Sequence, residues 1–361
     1  MKDEFHALPI AAVRRETADA ISFALTVPEA LAETYRFRAG QHLVVRARLD
    51  GEEVRRTYSI SSDPACNELW ITVKRVNGGR FSTYAHRTLA KGSALEAMRP
   101  AGRFVAPDDR GDGRTYLAVA AGSGITPVMG VIRHVLAREP NSGFTLIYGN
   151  RSVDSIIFLE ALNDLKDRYL GRLSVLHVLS RDTEADVPLL AGRIDGGKIK
   201  ALLPLIGSPA DIDHVYLCGP GNLIRDARAA LLDAGVARER IHFEYFRAGP
   251  DAVQQRASVA STAEVAPSAG SEVIAVVDGA RHAFRVPEGH RVVDAALAAG
   301  VRVPYSCKGG MCCTCRAKLV EGEVVMLRNY SLEPWEVEAG FVLTCQAQPT
   351  SGRIVLDYDQ M

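Results

Sequence analysis

Apolar and polar residues alternate in short runs through the first 110 positions: ISFALTV (21–27), HLVVRARL (42–49), VRRTYSI (54–60) and ELWITVKRV (68–76). Turn residues separate them, and one helical stretch, FSTYAHRTL (81–89), follows. Several strands without intervening helices predict an antiparallel β-barrel. The pattern then changes. TYLAVAAGSGITPVMGVIRHVLA (115–137) reads as an apolar strand, a glycine turn and a helix. FTLIYGNRS, DSIIFLEALNDLKDRY, LSVLHVLSRD and DHVYLCGPGNLIRDARAALLDAG repeat the alternation. This predicts a parallel sheet with helices on both faces. From 247 to 272 the periodicity disappears into Ala, Ser, Pro and Gly, the composition of a flexible linker. Beyond it, EVIAVVDGARHAFRV predicts a hairpin and VVDAALAAG a short helix. The expected organisation is a barrel over 1–110, an α/β domain over 111–246, a linker over 247–272 and a small α+β domain over 273–361.

The last segment holds the densest chemistry. Seven cysteines occur in 361 residues, and five lie beyond position 300. An odd, clustered set in a chain that opens without an apolar leader does not suit a disulfide framework, and it points to a reducing, cytoplasmic compartment. Cys307, Cys312 and Cys315 are spaced C-x4-C-x2-C, and Cys345 follows from a distant strand. That is the plant-type spacing for a 2Fe-2S cluster. Three thiolates must point inward from one tight loop, and Gly309 and Gly310 let its backbone approach closely. Zinc sites favour paired C-x2-4-C knuckles instead of a triplet and a singleton. Cys313, between two ligands, and Cys66, alone in a loop, are expected to be small buried residues.

Phosphate-binding candidates fall at strand ends. Gly122-Ser123-Gly124-Ile125-Thr126-Pro127 forms a turn in which Thr126 is expected to cap the following helix and Pro127 to fit its first turn. Exposed amides there would face a pyrophosphate. Cys218-Gly219-Pro220 forms a second such turn, and Ser180-Arg181 ends the third strand, where a cation suits a nucleotide 2′-phosphate. In the barrel, alternation puts Arg56 and Tyr58 of Arg56-Thr57-Tyr58-Ser59 on one face, a cation beside a flat ring. Gly78, Gly79, Arg80, Phe81 and Ser82 stand at a helix start that would cradle phosphate.

Charge adds one exclusion. Lys plus Arg equals Asp plus Glu at 43 each, so no net field favours nucleic acid or an anionic membrane. No long apolar run suggests a membrane anchor.

RTYS, GGRFS, GSGITP, YGNR and CGP, in this order, resemble the ferredoxin–NADP reductase superfamily. The loop CKGGMCCTC, with NYSLEPWEVEAGFVLTCQA, is similar to the ferredoxin domains of the reductase components of bacterial phenylacetyl-CoA epoxidases. The resemblance covers all three domains and implies FAD in the barrel, NADPH on the α/β domain and a 2Fe-2S cluster in a C-terminal β-grasp domain. It implies that Arg56 and Thr57 contact the flavin phosphates, Tyr58 packs on the isoalloxazine and Ser59 lies near its reactive edge. Gly79, Phe81 and Ser82 would hold the FAD pyrophosphate. Gly122, Gly124, Thr126, Ser180 and Arg181 would bind the nicotinamide nucleotide, with Cys218, Gly219 and Pro220 near its ring. Glu244 and Phe246 match an acid–aromatic signature beside the flavin. Two positions depart from the pattern: Ala39-Gly40-Gln41 stands for Pro-Gly-Gln, and GNLI follows CGP.

The implied activity is electron transfer from NADPH through FAD and 2Fe-2S to the oxygenase component of a multisubunit complex in phenylacetate breakdown. A nicotinamide delivers two electrons and the cluster accepts one, so a flavin belongs between them. The reductase of a ring-hydroxylating dioxygenase and an iron–sulfur redox sensor are the alternative readings.

Overall fold

A computed structural model describes residues 4–66, 68–109, 111–181, 187–247, 257–260 and 270–360. They form two compact units, 6–249 and a C-terminal one from 250 onward that also takes in the first five positions.

The larger unit opens with strands β1 (His6–Thr17), β2 (Ala20–Thr26), β3 (His42–Leu49), β4 (Glu52–Ser59) and β5 (Glu68–Lys74). Helix α1 (Arg80–Thr88) and strand β6 (Ala94–Ala97) follow. The sheet runs β4-β3-β6-β1-β2-β5 with antiparallel neighbours, and a bridge from Ile60 to Ile71 joins its two edges. Closure of that kind makes the expected barrel. Its interior is filled by Leu8, Ile10, Phe23, Leu43, Val45, Ile71 and Phe81.

The α/β part consists of β7 (Thr115–Ala121), α2 (Ile125–Arg138), β8 (Gly143–Asn150), α3 (Leu159–Arg168), β9 (Leu173–Leu179), α4 (Gly196–Ile206), β10 (His214–Pro220), α5 (Gly221–Asp233) and β11 (Ile241–Arg247). All neighbours are parallel, in the order β11-β10-β7-β8-β9. Strand β7 is apolar throughout because both its faces are covered. Tyr116, Ala118 and Ala120 join the core under α2 and α3, whereas Leu117 and Val119 join the core under α4 and α5. Helix α4 is an element that the hydrophobic pattern did not predict.

Barrel and sheet are locked through α2. A Cβ at Gly130 would stand 2.8 Å from the Ile60 carbonyl oxygen, so the helix approaches the barrel backbone as closely as glycine permits. Arg133 Nη1 donates to the Ser61 carbonyl at 2.8 Å, and Tyr216 donates to the Val105 carbonyl at 3.1 Å.

The C-terminal unit contains β12 (Ala257–Ala260), β13 (Ser271–Val277), β14 (Ala280–Val286), α6 (Val292–Ala298), β15 (Arg316–Glu321), β16 (Glu323–Met326), α7 (Pro334–Glu338), β17 (Phe341–Leu343), β18 (Ala347–Pro349) and β19 (Arg353–Asp357). The main sheet is ordered β14-β13-β19-β15-β17, and only β13 and β19 are parallel. The helix α6 packs on it, as in a β-grasp. The linker expectation is corrected here. Residues 257–260 pair with β16, and 271–272 already belong to β13, while 248–256 and 261–269 lie outside the described residues.

Candidate functional site

The α/β sheet reverses strand order at β7. Chain leaving β7 goes to β8 on one side, and chain arriving from β9 enters β10 on the other. A crevice beyond these carboxyl ends is where such sheets bind ligands. The two glycine turns meet in it. Gly122 has φ +54 and opens a tight turn, and a Cβ at Gly124 would come within 2.1 Å of the Cys218 carbonyl oxygen. Only glycine lets these backbones touch. Helix α2 begins at Ile125 with Gly124 at its cap position. Thr126 is therefore not the cap: it is 2% exposed, and its hydroxyl donates to the Ser123 carbonyl at 3.0 Å. Pro127 does sit in the first turn.

Cys218 is fully buried, and burial pushes its thiol well above the ordinary range, with the Glu244 carboxylate adding to the effect. The two residues are register partners across β10 and β11. From that position Glu244 reaches the barrel. Its Oε1 lies 3.3 Å from His42 Nδ1, and Ser59 Oγ donates to Oε2 at 3.5 Å. His42 and Ser59 are themselves register partners across β3 and β4. Ser59, Cys218 and Glu244, far apart in the chain, thus gather at one point. His42, 2% exposed, is a member that sequence reasoning missed; a histidine inside an apolar strand carries no signal of a partner 202 positions away. Phe246 sits one alternation further, at a register shift in β11, and is 36% exposed, an aromatic surface open to a flat ring.

Tyr58 stands at the same end of β4. Its ring lies 5.6 Å from Phe81, and burial of its hydroxyl raises its pKa against the pull of the Arg56 charge. Arg56 itself is exposed and donates to the Arg55 carbonyl at 2.7 Å, and Thr57 is half-buried between them. Two barrel residues expected at the cofactor have engaged side chains. Phe81, 1% exposed, belongs to the barrel core behind Tyr58. Ser82 is buried, and its hydroxyl is engaged within its own loop, accepting from Val76 N and donating to Gly79 O, both at 3.1 Å. That loop opens a cleft of about 510 Å³ lined by Arg48, Asp50, Gly78, Gly79, Arg80 and, from the last turn of α1, Arg87. Gly79 leaves this helix N-terminus without a side-chain cap, a place suited to phosphate, while Arg80 beside it is paired with Glu52 and Asp50.

At the end of β9, Ser180 is half-buried and Arg181 exposed; their amides donate to the carbonyls of Asn150 and Arg151 at 2.9 Å. Their backbones are fixed and the guanidinium faces solvent. Gly219 packs against Ala121, and Pro220 ends β10 exposed.

In the C-terminal unit the four cysteines stand two by two. The Cys307 thiol is pushed down to about 5 by its hydrogen bond with Cys312, helped by the amides of Gly309, Met311 and Cys312. Cys345 is lowered by its bond with Cys315, and by the Gly310 amide and Gln346. The partners Cys312 and Cys315 are raised in turn. Among the described residues no three His, Cys, Asp or Glu side chains gather about one ion. The four thiols and the amides that donate to them are the donor set that a 2Fe-2S cluster would take. Positive φ at Lys308 (50), Gly310 (79) and Cys313 (53) winds the loop. The expectation for Cys313 is corrected: it is half-buried, and its thiol turns to Ser331 Oγ at 3.0 Å. Cys66 is exposed, not buried.

Three family models match in sequence: an oxidoreductase FAD-binding domain over 7–105, an oxidoreductase NAD-binding domain over 118–229, and a 2Fe-2S iron-sulfur cluster binding domain over 275–350. The chain is 44% identical over 357 residues to a component of the 1,2-phenylacetyl-CoA epoxidase of Escherichia coli (strain K12), covering 98% of both chains. It is 33% identical to the ferredoxin reductase component of 3-ketosteroid-9-alpha-monooxygenase of Rhodococcus rhodochrous, covering 97% of this chain and 96% of the other. The solved phthalate dioxygenase reductase, described as a modular structure for electron transfer from pyridine nucleotides to 2Fe-2S, matches with a TM-score of 0.60. Its identity is 27%, with 99% of this chain and 98% of that one covered. The chain therefore belongs to the family of three-module oxidoreductases, joining FAD-binding, NAD-binding and 2Fe-2S domains, that serve as reductase components of oxygenase systems.

Proposed function

We propose that the chain carries electrons from NADPH through FAD and the 2Fe-2S cluster to the oxygenase component of a phenylacetyl-CoA epoxidase, in the cytoplasm. Likeness to the Escherichia coli epoxidase component across the whole length supports the acceptor, and no helix among the described residues is long and apolar enough to cross a membrane. The observation that carries the chemistry is the meeting of Ser59, Cys218 and Glu244 where the barrel joins the switch point of the sheet. In this reading Tyr58 and Phe246 cover the flavin ring, and Arg56, Thr57 and the Gly78–Gly79 turn with the start of α1 hold its phosphates. Gly122 leaves room for the nicotinamide nucleotide, and the contact of Gly124 with the Cys218–Gly219 backbone brings the two turns together beside it. Flavin supplies exchange in both two-electron and one-electron steps. Cys307, Cys312, Cys315 and Cys345 hold the cluster.

The test is an acceptor panel. Anaerobic NADPH should bleach both flavin and cluster absorbance, and the reduced protein should sustain product formation by phenylacetyl-CoA epoxidase components. Better turnover with a 3-ketosteroid monooxygenase or a ring-hydroxylating dioxygenase would overturn the acceptor and leave the electron path standing.

Nucleotide choice rests on the exposed Arg181 beside Ser180. Arg181→Ala is expected to weaken NADPH binding roughly ten- to hundredfold, the scale of a charge-assisted hydrogen bond worth about 1.5–3 kcal/mol. NADH binding should hardly change. Equal losses for the two nucleotides in a binding titration would remove the case for NADPH.

A further inference from the structure

Gln346 follows the fourth cysteine and is 1% exposed. Its Nε2 donates to the Lys308 carbonyl at 2.8 Å and to the Cys345 carbonyl at 2.9 Å. Two carbonyl acceptors fix which end of the amide is nitrogen. One side chain thus ties the turn between β17 and β18 to the loop between the first two cysteines, bridging the thiol pairs Cys307–Cys312 and Cys315–Cys345. The backbone joins in: Leu327 N donates to Gln346 O, and a Cβ at Gly310 would stand 3.2 Å from Gln346 Cγ.

Lys308 is the residue held. It has φ +50, the left-handed region that a lysine adopts only when its surroundings hold it there. The twist at Lys308 turns the amides of Gly309, Met311 and Cys312 toward the Cys307 sulfur; Gly309 N is 3.3 Å from Cys307 Sγ. The side chain of Lys308 reaches outward to Asp294 at 2.7 Å, where solvent screens the pair. Inside the protein, the Gln346 amide is what grips the Lys308 carbonyl.

We propose that Gln346 is a positioning residue for the iron–sulfur centre: by holding the Lys308 carbonyl it locks the left-handed turn that aims the loop amides at the thiolate sulfurs, and so keeps the cluster in its cage. This rests on the reading of the four cysteines as ligands. A glycine at 308 needs no such lock, because it reaches positive φ without strain. An alanine keeps the penalty while removing the same contact with Asp294.

The experiment uses the full-length protein with its cluster and follows iron release to a chelator as loss of visible absorbance. Gln346→Leu should release iron about tenfold faster, the scale of one lost conformational lock. Lys308→Gly in that background should bring the rate back to near wild type, whereas Lys308→Ala should not. Failure of glycine to rescue, or equal rescue by glycine and alanine, overturns the lock. An unchanged rate in Gln346→Leu overturns it too. If Gln346→Leu purifies without cluster, recovery of cluster in Gln346→Leu/Lys308→Gly supports the proposal, and its absence there sinks it. A wild-type protein without 2Fe-2S absorbance would instead defeat the ligand reading itself.

Discussion

Serine in place of Cys307, Cys312, Cys315 or Cys345 is expected to leave a protein that binds FAD and is reduced by NADPH but holds less than about a tenth of the wild-type iron. The reason is the ligand set. In the proposed ligand reading each of the four thiols would hold iron, and Cys307 bonds with Cys312 and Cys315 with Cys345, so each substitution would remove one of four ligands. A serine hydroxyl is a poor substitute, because it does not ionise near neutral pH as a thiol with amide donors does. Flavin reduction should persist, since Ser59, Cys218 and Glu244 lie in the other compact unit. Cys313→Ser is the control. Its positive φ turns the thiol to Ser331, and serine keeps that contact, so iron and sulfide should stay near wild type. Iron lost from Cys313→Ser but kept in Cys312→Ser would reverse the ligand assignment.

What the sequence made legible was local. Strand ends with glycine, the C-x4-C-x2-C loop and the apolar run of β7 each announce themselves within ten residues, because turn geometry and burial act on neighbours. The assembled site is different. Glu244 meets Ser59 across 185 positions and His42 across 202, and no periodicity in IHFEYFR foretells either contact. Thr126 shows how a local rule yields to packing. Its side chain suits a cap, but the turn at Gly122–Gly124 starts the helix two residues earlier, with Gly124 as the cap, and the hydroxyl folds back on Ser123. Helix α4 was hidden for another reason: it holds Gly196, Gly197 and Pro204, residues that punctuate loops elsewhere. Its existence depends on the Asp195 carboxylate accepting from Lys198 N at the cap and on Ile199, Leu202 and Leu203 reaching the core beside α5. Ser82 and Phe81 carry the same lesson for the site. Their motif position points to a cofactor, while their side chains are taken up by the barrel, Phe81 in its core and Ser82 within its own loop.

Ending the chain at Arg247 is expected to separate the two halves of the electron path. The unit 6–249 contains the whole barrel, the whole parallel sheet and three hydrophobic cores of its own, so it should fold and bind FAD without the rest. Its NADPH–ferricyanide activity should remain near that of the full chain, while oxygenase-coupled turnover falls to background. The C-terminal unit, begun before β12 so that its pairing with β16 is kept, has a separate core and all four cysteines. Added back as an independent chain, it should restore turnover weakly. The units are joined through positions 247–257, at most about 35 Å when fully extended, and again where the first five positions meet His6. Such a tether holds the cluster domain at a local concentration near millimolar, so micromolar addition in trans should run roughly 10²–10³-fold slower. Coupled NADPH oxidation and product formation are the readout. Full oxygenase turnover by the truncated protein alone would show that electrons leave from the flavin, and the cysteine loop would then not be their exit.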